Sequence, residues 1–449
     1  MRLARFLVLM FFVLIVLNTS RDLLEIYTGI VLKDVFASGL LPIAILFLVP
    51  GALLYESKLG RRNPLSNAPA YRFCLVLFAG WTIGLFLQGV LQGYRIQNII
   101  IDLWIFTAIW MFTLIGRHDQ VWEDLYKPLA LLLVGCYILV YVGLGHMPRN
   151  LNLRMFVQGI EYRSSVATIG YDANELLNLW PLFFLLGYFR KRWDAWKLLG
   201  FAFFIGYVLF MIYFQKRAPF ARAVVYGVVL YLLTPLVRRK AFSSVQTIAL
   251  TGVFLLGGDM VLLSETFSES MLLLGERYTE PDTSRFDEAM MLLEDFDTLE
   301  YLIGRGLGGY YIVHGWSHLS VLDVAPVDDQ GRWGRLALHV GALYPFIKGG
   351  LLYCAVYYSF LPLLLSRAFD RRWLAHPCNS TAFTFALVYF LFELTEGAPH
   401  AGNPFDGVLV GLAYGRTGTP RTPMTGQAAG GDVQRAGGGD GQSGRKSGP

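Results

Sequence analysis

At 449 residues, with 55% hydrophobic and only 16% charged side chains, the chain is too apolar for an ordinary water-soluble enzyme, whose charged fraction is about 25%. The formal net charge is +5, and the four cysteines, Cys74, Cys136, Cys354 and Cys378, show no CxxC or Cys/His spacing. A soluble catalyst is thereby excluded, and the cysteines read as small apolar fillers, not metal ligands.

Apolar runs of about 20 residues, the length that crosses a bilayer, fall near 6–26, 37–55, 71–92, 97–115, 126–145, 174–189, 197–215, 219–237, 242–263, 341–365 and 379–395. A shorter, Gly-rich run near 403–415 makes a twelfth. No small-residue cleavage site follows the first run, so the N-terminus is expected to be a retained helix. Basic clusters Lys58/Arg61/Arg62, Arg190/Lys191/Arg192, Arg238/Arg239/Lys240 and Arg367/Arg371/Arg372 all fall on one side of this pattern, together with Arg2 and Arg5. By the positive-inside rule that side is the cytoplasm, which also receives both termini.

Ser264–Val340 is the only long polar stretch between apolar ones and is expected on the extracytoplasmic side. It holds 14 Asp and Glu against five Arg and no Lys, and three of the seven histidines. Within Ser284–Gly304, Phe286, Met290, Leu293 and Phe296 recur at helical spacing, with Thr283 or Ser284 as N-cap and Gly304 as stop. The acidic residues Asp287, Glu288, Glu294, Asp295 and Asp297 are expected mostly to face water. From Gly415 onward the chain is rich in Gly, Pro, Ser and Thr and reads as a disordered tail. The organisation is therefore a membrane domain over 1–263, the loop over 264–340, a second membrane part over 341–414 and the tail over 415–449.

Several residues could carry chemistry. Arg217 lies between the seventh and eighth spans on the cation-poor side, where an interfacial anchor is the rival reading. Arg163 and Arg285 lie on the same side. Three guanidinium forks there would suit an anionic ligand, since each grips phosphate oxygens bidentately. His339 stands where the loop re-enters the membrane and suits a general base near neutral pH, although a structural histidine is the blander reading. His314 and His318 are four apart but lack a third metal ligand at recognisable spacing. Glu393, Glu396, His400 and Asp259 are ionisable groups at costly membrane positions.

The arrangement resembles the bacterial O-antigen ligases and O-antigen or exopolysaccharide polymerases. The resemblance covers roughly 163–365 and rests on four patches. RSSVATIGYDANELLNLWPLFF holds Arg163 and Asn174; QKRAPFARAVV holds Arg217, with Lys216 where a Ser is usual. SRFDEAMMLL followed by LIGRGLGGYY holds Arg285 and then Gly304, Arg305, Gly306, Gly308 and Gly309. LHVGALYPFIKGGLLY holds His339, with Val340 where the family usually has Asn, Ser or Gln and Tyr353 where a second glycine is common. The resemblance implies an all-α, polytopic integral membrane protein of about 11–12 transmembrane helices with one large, partly helical periplasmic loop. It implies glycosyl transfer from an undecaprenyl-diphosphate-linked glycan to a glycan or lipid-core acceptor at the outer face of the inner membrane, without cofactor or metal. His339 would be the base and Arg217, Arg285 and Arg163 the diphosphate binders, with His318, His314, Arg305 and Glu393 as further candidates. Membrane lipid and other polysaccharide-assembly proteins are the remaining expected partners, and nucleic acid is not one. The alternative is a transporter or flippase of lipid-linked sugars, which would show broken helices near the bilayer midplane.

Overall fold

A computed structural model of the chain describes residues 1–19, 40–60, 69–146, 284–312, 325–326, 333–335, 341–367, 369–396 and 404–419. The four runs expected between 174 and 263, Arg163, Arg217, His314, His318, His339, Asp259, His400 and the tail beyond Thr419 lie outside the described residues. All described residues belong to one compact unit, Met1–Thr419.

Most of the described elements are helices: α1 (Arg2–Thr19), α2 (Leu40–Leu59), α3 (Pro69–Leu91), α4 (Ile96–Gly116) and α5 (Asp119–His146). After them come the loop helices α6 (Ser284–Asp295) and α7 (Thr298–Ile303). The chain continues with α8 (Tyr344–Tyr357), α9 (Phe360–Leu365), α10 (Arg371–Leu374), α11 (Pro377–Glu396) and α12 (Pro404–Arg416). Among the described residues four segments are long and apolar enough to cross a membrane: Pro42–Leu59, Pro69–Leu91, Ile96–Gly116 and Tyr344–Leu365. Helix α3 leaves Phe73, Val76, Ile83, Leu87 and Leu91 exposed along its length, which suits lipid and not water.

The loop is not purely helical. Its strands β1 (Tyr311–Ile312), β2 (Ala325–Pro326) and β3 (Trp333–Arg335) form a small antiparallel sheet in the order β1-β3-β2, pairing Tyr311 with Arg335 and Ala325 with Gly334. The single helix expected over 284–304 is two helices. Asp297 interrupts it because its carboxylate accepts from Glu300 N at 2.7 Å while the Glu300 side chain accepts from Asp297 N at 3.1 Å. This reciprocal cap starts a new helix where the apolar spacing alone predicts continuation.

Helices α4 and α12 pack closely along their length. Gly407, Gly411 and Gly415 recur every fourth residue and form a stripe that lets the backbones approach: a Cβ at Gly411 would lie 2.5 Å from the Ile109 carbonyl oxygen. The shorter, Gly-rich run near 403–415 thus holds a closely fitted helix, α12. Its last residues extend the fold past Gly415. Arg416, Thr417 and Thr419 are buried, with Thr419 accepting from Trp373 Nε1 at 2.7 Å and from Arg367 through its carbonyl at 2.9 Å.

Candidate functional site

The loop docks on one end of the apolar helices α3, α4 and α8 through Gly304–Gly309. Gly304, Gly306 and Gly308 all have positive φ, at 67°, 83° and 79°, so the segment folds into a tight knot that side chains at these positions would strain. Helix α8 is broken at Gly350 (φ 60°, ψ −163°), which frees the carbonyls before it. Arg305 N donates to Ile347 O at 2.9 Å and Gly306 N to Lys348 O at 2.7 Å, filling the break. On the other flank Leu307 N donates to Leu85 O at 3.0 Å, and Gln88 Nε2 to Gly304 O at 2.9 Å.

Under this knot lies a group that sequence reasoning missed. Asp102, on α4, is fully buried; it accepts from Gly308 N at 2.6 Å and from Tyr344 Oη at 2.6 Å, and pairs with Lys348 Nζ at 2.8 Å. Lys348 is equally buried and also donates to Gly309 O at 2.6 Å. A lone Asp in IIIDLWIF and a lone Lys in PFIKGG are each visible in the sequence as charges inside apolar runs. Their partnership across 246 positions is what the sequence does not spell out.

A glycine-rich turn could cradle phosphate through its amides, but here the amides of residues 304–309 are all spent on protein acceptors, Gly308 on the Asp102 carboxylate. Arg305 is likewise committed. Its guanidinium donates to Glu300 (2.9 and 2.7 Å), to the Asp295 carboxylate and carbonyl (2.7 and 2.6 Å) and to Tyr310 O (2.7 Å), using all five N–H groups, while its Cζ lies 4.4 Å from the centre of the Phe296 ring. Burial works against its charge, but the bonds to Glu300 and Asp295 outweigh burial and hold it more firmly protonated than usual. Arg305 therefore ties α6 to α7 and to the knot instead of facing a ligand, and Asp295, expected to face water, is one of its partners.

Of the other predicted residues, Arg285 is the second residue of α6 and Glu393 lies in the last turn of α11. Leu292 and Phe296 pack with Phe346 and Ile347 of α8 and with Tyr311, so α6 is held against the segment that follows His339. Tyr353 is buried in an aromatic cluster with Phe78, Phe106 and Tyr357.

The opposite ends of the helices carry a second charged belt. Glu56 pairs with Arg117 and with His118 (3.0 Å), and Asp119 pairs with Arg416 (2.7 Å) and His376 (3.1 Å), while Arg416 Nε donates to Asn379 Oδ1 at 2.6 Å. Burial opposes ionisation of Asp119, but the His376 hydrogen bond and the Arg416 charge outweigh it and hold the carboxyl far below its usual range. Asp119, His376 and Cys378 bring one possible metal-ligand atom each to within 4.8 Å of one another. Both Asp119 oxygens are already engaged by Arg416 and His376, so the group is better described as an ion-pair clasp between helix ends.

No protein-family model matches the chain, and neither a curated protein nor a solved structure is significantly similar to it.

Proposed function

We propose that the chain is a bacterial inner-membrane glycosyltransferase that moves a glycan from a polyprenyl diphosphate to an acceptor hydroxyl at the periplasmic face, as in polymerisation or ligation of O-antigen or exopolysaccharide. Both termini are then cytoplasmic, and the charged belt of Glu56, Arg117, Asp119 and Arg416 lies on that side.

The observation that carries this reading is the docking of Gly304–Gly309 on Ile347–Gly350. Two of the patches on which the resemblance rests, some forty residues apart in sequence, are packed as one unit beside the end of the polar loop. Arg285 enters that unit on α6, and His339 precedes α8 by five residues.

The chemistry follows from these residue types. The acceptor hydroxyl loses its proton to the His339 imidazole as it attacks the anomeric carbon, and the glycosyl–phosphate bond breaks. Charge then builds on the departing lipid diphosphate, where the forks of Arg217, Arg285 and Arg163 bind it more strongly than in the ground state.

A transporter or flippase is the second reading, favoured by the break in α8. That break lies six residues from the start of the helix, about 9 Å at 1.5 Å per residue, on the loop side and filled by Gly304–Gly309. A carrier needs an open, two-sided site near the midplane.

The test uses purified protein in lipid nanodiscs with a polyprenyl-diphosphate glycan donor and matched acceptors, measuring donor binding and product separately. His339→Ala should bind donor normally and lose about 10²–10⁴-fold in turnover. Arg217→Lys and Arg285→Lys should weaken both binding and turnover, because the charge survives but the bidentate fork does not. Normal turnover by His339→Ala removes it as the base, and loss confined to His318→Ala or His314→Ala moves the base there. Movement of donor across the bilayer without product favours the flippase.

A further inference from the structure

The buried pair of Asp102 and Lys348 plays no part in the chemistry above, yet it is the point where three distant segments meet. We propose that Asp102 and Lys348 are positioning residues whose ion pair locks the Gly304–Gly309 knot to the membrane helices. Through the knot they fix the loop helix bearing Arg285 relative to the start of α8, which follows His339 by five residues in sequence. The inference rests on the glycosyl-transfer reading and names how that site is held.

Connectivity is the first argument. One carboxylate takes bonds from Gly308 N, Tyr344 Oη and Lys348 Nζ, and the ammonium group returns one to Gly309 O. The α4 helix, the knot and the start of α8 are thus joined by four bonds of 2.6–2.8 Å around groups that water does not reach. The chain of contacts then runs outward in both directions. Arg305, whose backbone bonds to Ile347, clamps Asp295 at the C-terminal end of α6, the helix in which Arg285 is the second residue. Tyr344 and Lys348 lie five and nine residues after His339.

The cost of the arrangement is the second argument. A buried ion pair gives little net stability over a well-packed apolar pair, because desolvation cancels most of the attraction. What it does impose is a unique geometry: the carboxylate is satisfied only when all three donors arrive together. A transferase needs that constraint, since the donor-binding arginine and the base sit on different segments and misplacement by about 1 Å can cost about 10²-fold in rate.

The rival roles are weaker. An ion or diphosphate site needs unspent donors, and the knot's amides are all bonded to protein. Direct participation of Lys348 requires access to substrate, and its side chain is 0% exposed.

The experiment compares wild type, Asp102→Asn, Lys348→Met, the double variant D102N/K348M and the milder Tyr344→Phe in nanodiscs, with hydrogen exchange of the 304–309 amides and transfer kinetics read on the same samples. Each single charge variant leaves one buried charge unpaired, so exchange should quicken by about tenfold or more. In the same variants kcat should fall by about 10²-fold, with KM for the donor changed less than about threefold. The double variant removes both charges and should recover protection and most of the turnover; Tyr344→Phe, which keeps both charges, should show a smaller effect of the same kind. If a single variant fails to insert, the double variant and Tyr344→Phe carry the comparison.

Unchanged exchange in the variants overturns the lock. Faster exchange with normal kcat makes the pair structural only and overturns positioning. A double variant with restored protection and no turnover shows that the charge itself acts, which also overturns it. Absence of transfer by the wild type is a failure of the glycosyl-transfer reading, and the positioning claim falls with it; wild-type transfer beside unaffected variants is a failure of the positioning claim alone.

Discussion

Gly350 shows how a single residue sets the geometry of the loop's seat. Its φ of 60° and ψ of −163° are accessible to glycine and costly to any other residue, and an added Cβ would lie 2.4 Å from the Leu302 carbonyl carbon. Gly350→Ala should therefore cost about 1–3 kcal/mol from backbone strain alone and should loosen the 304–309 segment in hydrogen exchange. At the other end of the helices Asp119 supplies a pH dependence. Its folded pKa lies below the ordinary value of about 3.9, so its stabilisation is fully present above that pH and is lost as pH falls through the folded value. In thermal unfolding of detergent-solubilised protein, Asp119→Asn should be destabilising at about pH 6, and the gap from wild type should shrink below about pH 4. An equal gap at both pH values would mean that the Asp119 carboxylate is not what the clasp depends on. Arg305 and Asp102 belong to this scale too. Each was visible as a charge, but only the fold shows that one is consumed by Glu300 and Asp295 and the other by Lys348.

Helix α12 is short for a membrane crossing: its 13 residues rise about 20 Å at 1.5 Å each. Its worth lies in closeness, since the Gly407, Gly411 and Gly415 stripe contributes no side chain of its own and lets its backbone lie against α4. Gly411→Val should force the two helices apart and lower stability by about 1–3 kcal/mol. Gly80→Ala on α3 is the matched control, because nothing lies within 4 Å of its added Cβ. A helical Gly→Ala change at an open position should be neutral or stabilising by about 0.5–1 kcal/mol. Thermal unfolding of both variants decides the matter, and equal midpoints would show that the α4–α12 contact is not tight in the folded protein. The stripe itself, small residues every fourth position, was readable beforehand as a packing motif. Hydropathy hid it, because glycine scores as neither apolar nor polar.

For the molecule as a whole, the compact unit runs through Thr419, four residues past the boundary at Gly415 that composition suggests. Ending the chain after Thr419 should leave membrane insertion and thermal stability close to wild type. Ending it after Gly415 removes Arg416 from Asn379 and Asp119, and Thr419 from Trp373, and should lower both; equal behaviour of the two truncations would show that these contacts carry no stability. What the sequence determined by itself is what short-range patterning can encode. The membrane-length apolar runs at 37–55, 71–92, 97–115 and 341–365 match helices within a few residues, and Gly304 ends its loop helix as expected. Hydrophobic length and glycine's left-handed freedom are local properties, legible wherever they occur. Tertiary structure alone decided which charges meet. Asp102 finds Lys348, Arg305 finds Asp295 and Glu300, and Asp119 finds Arg416 across 297 positions. A buried charge must have a partner, but the rule does not say where along the chain that partner lies; only the packing of the helices brings the two to the same depth.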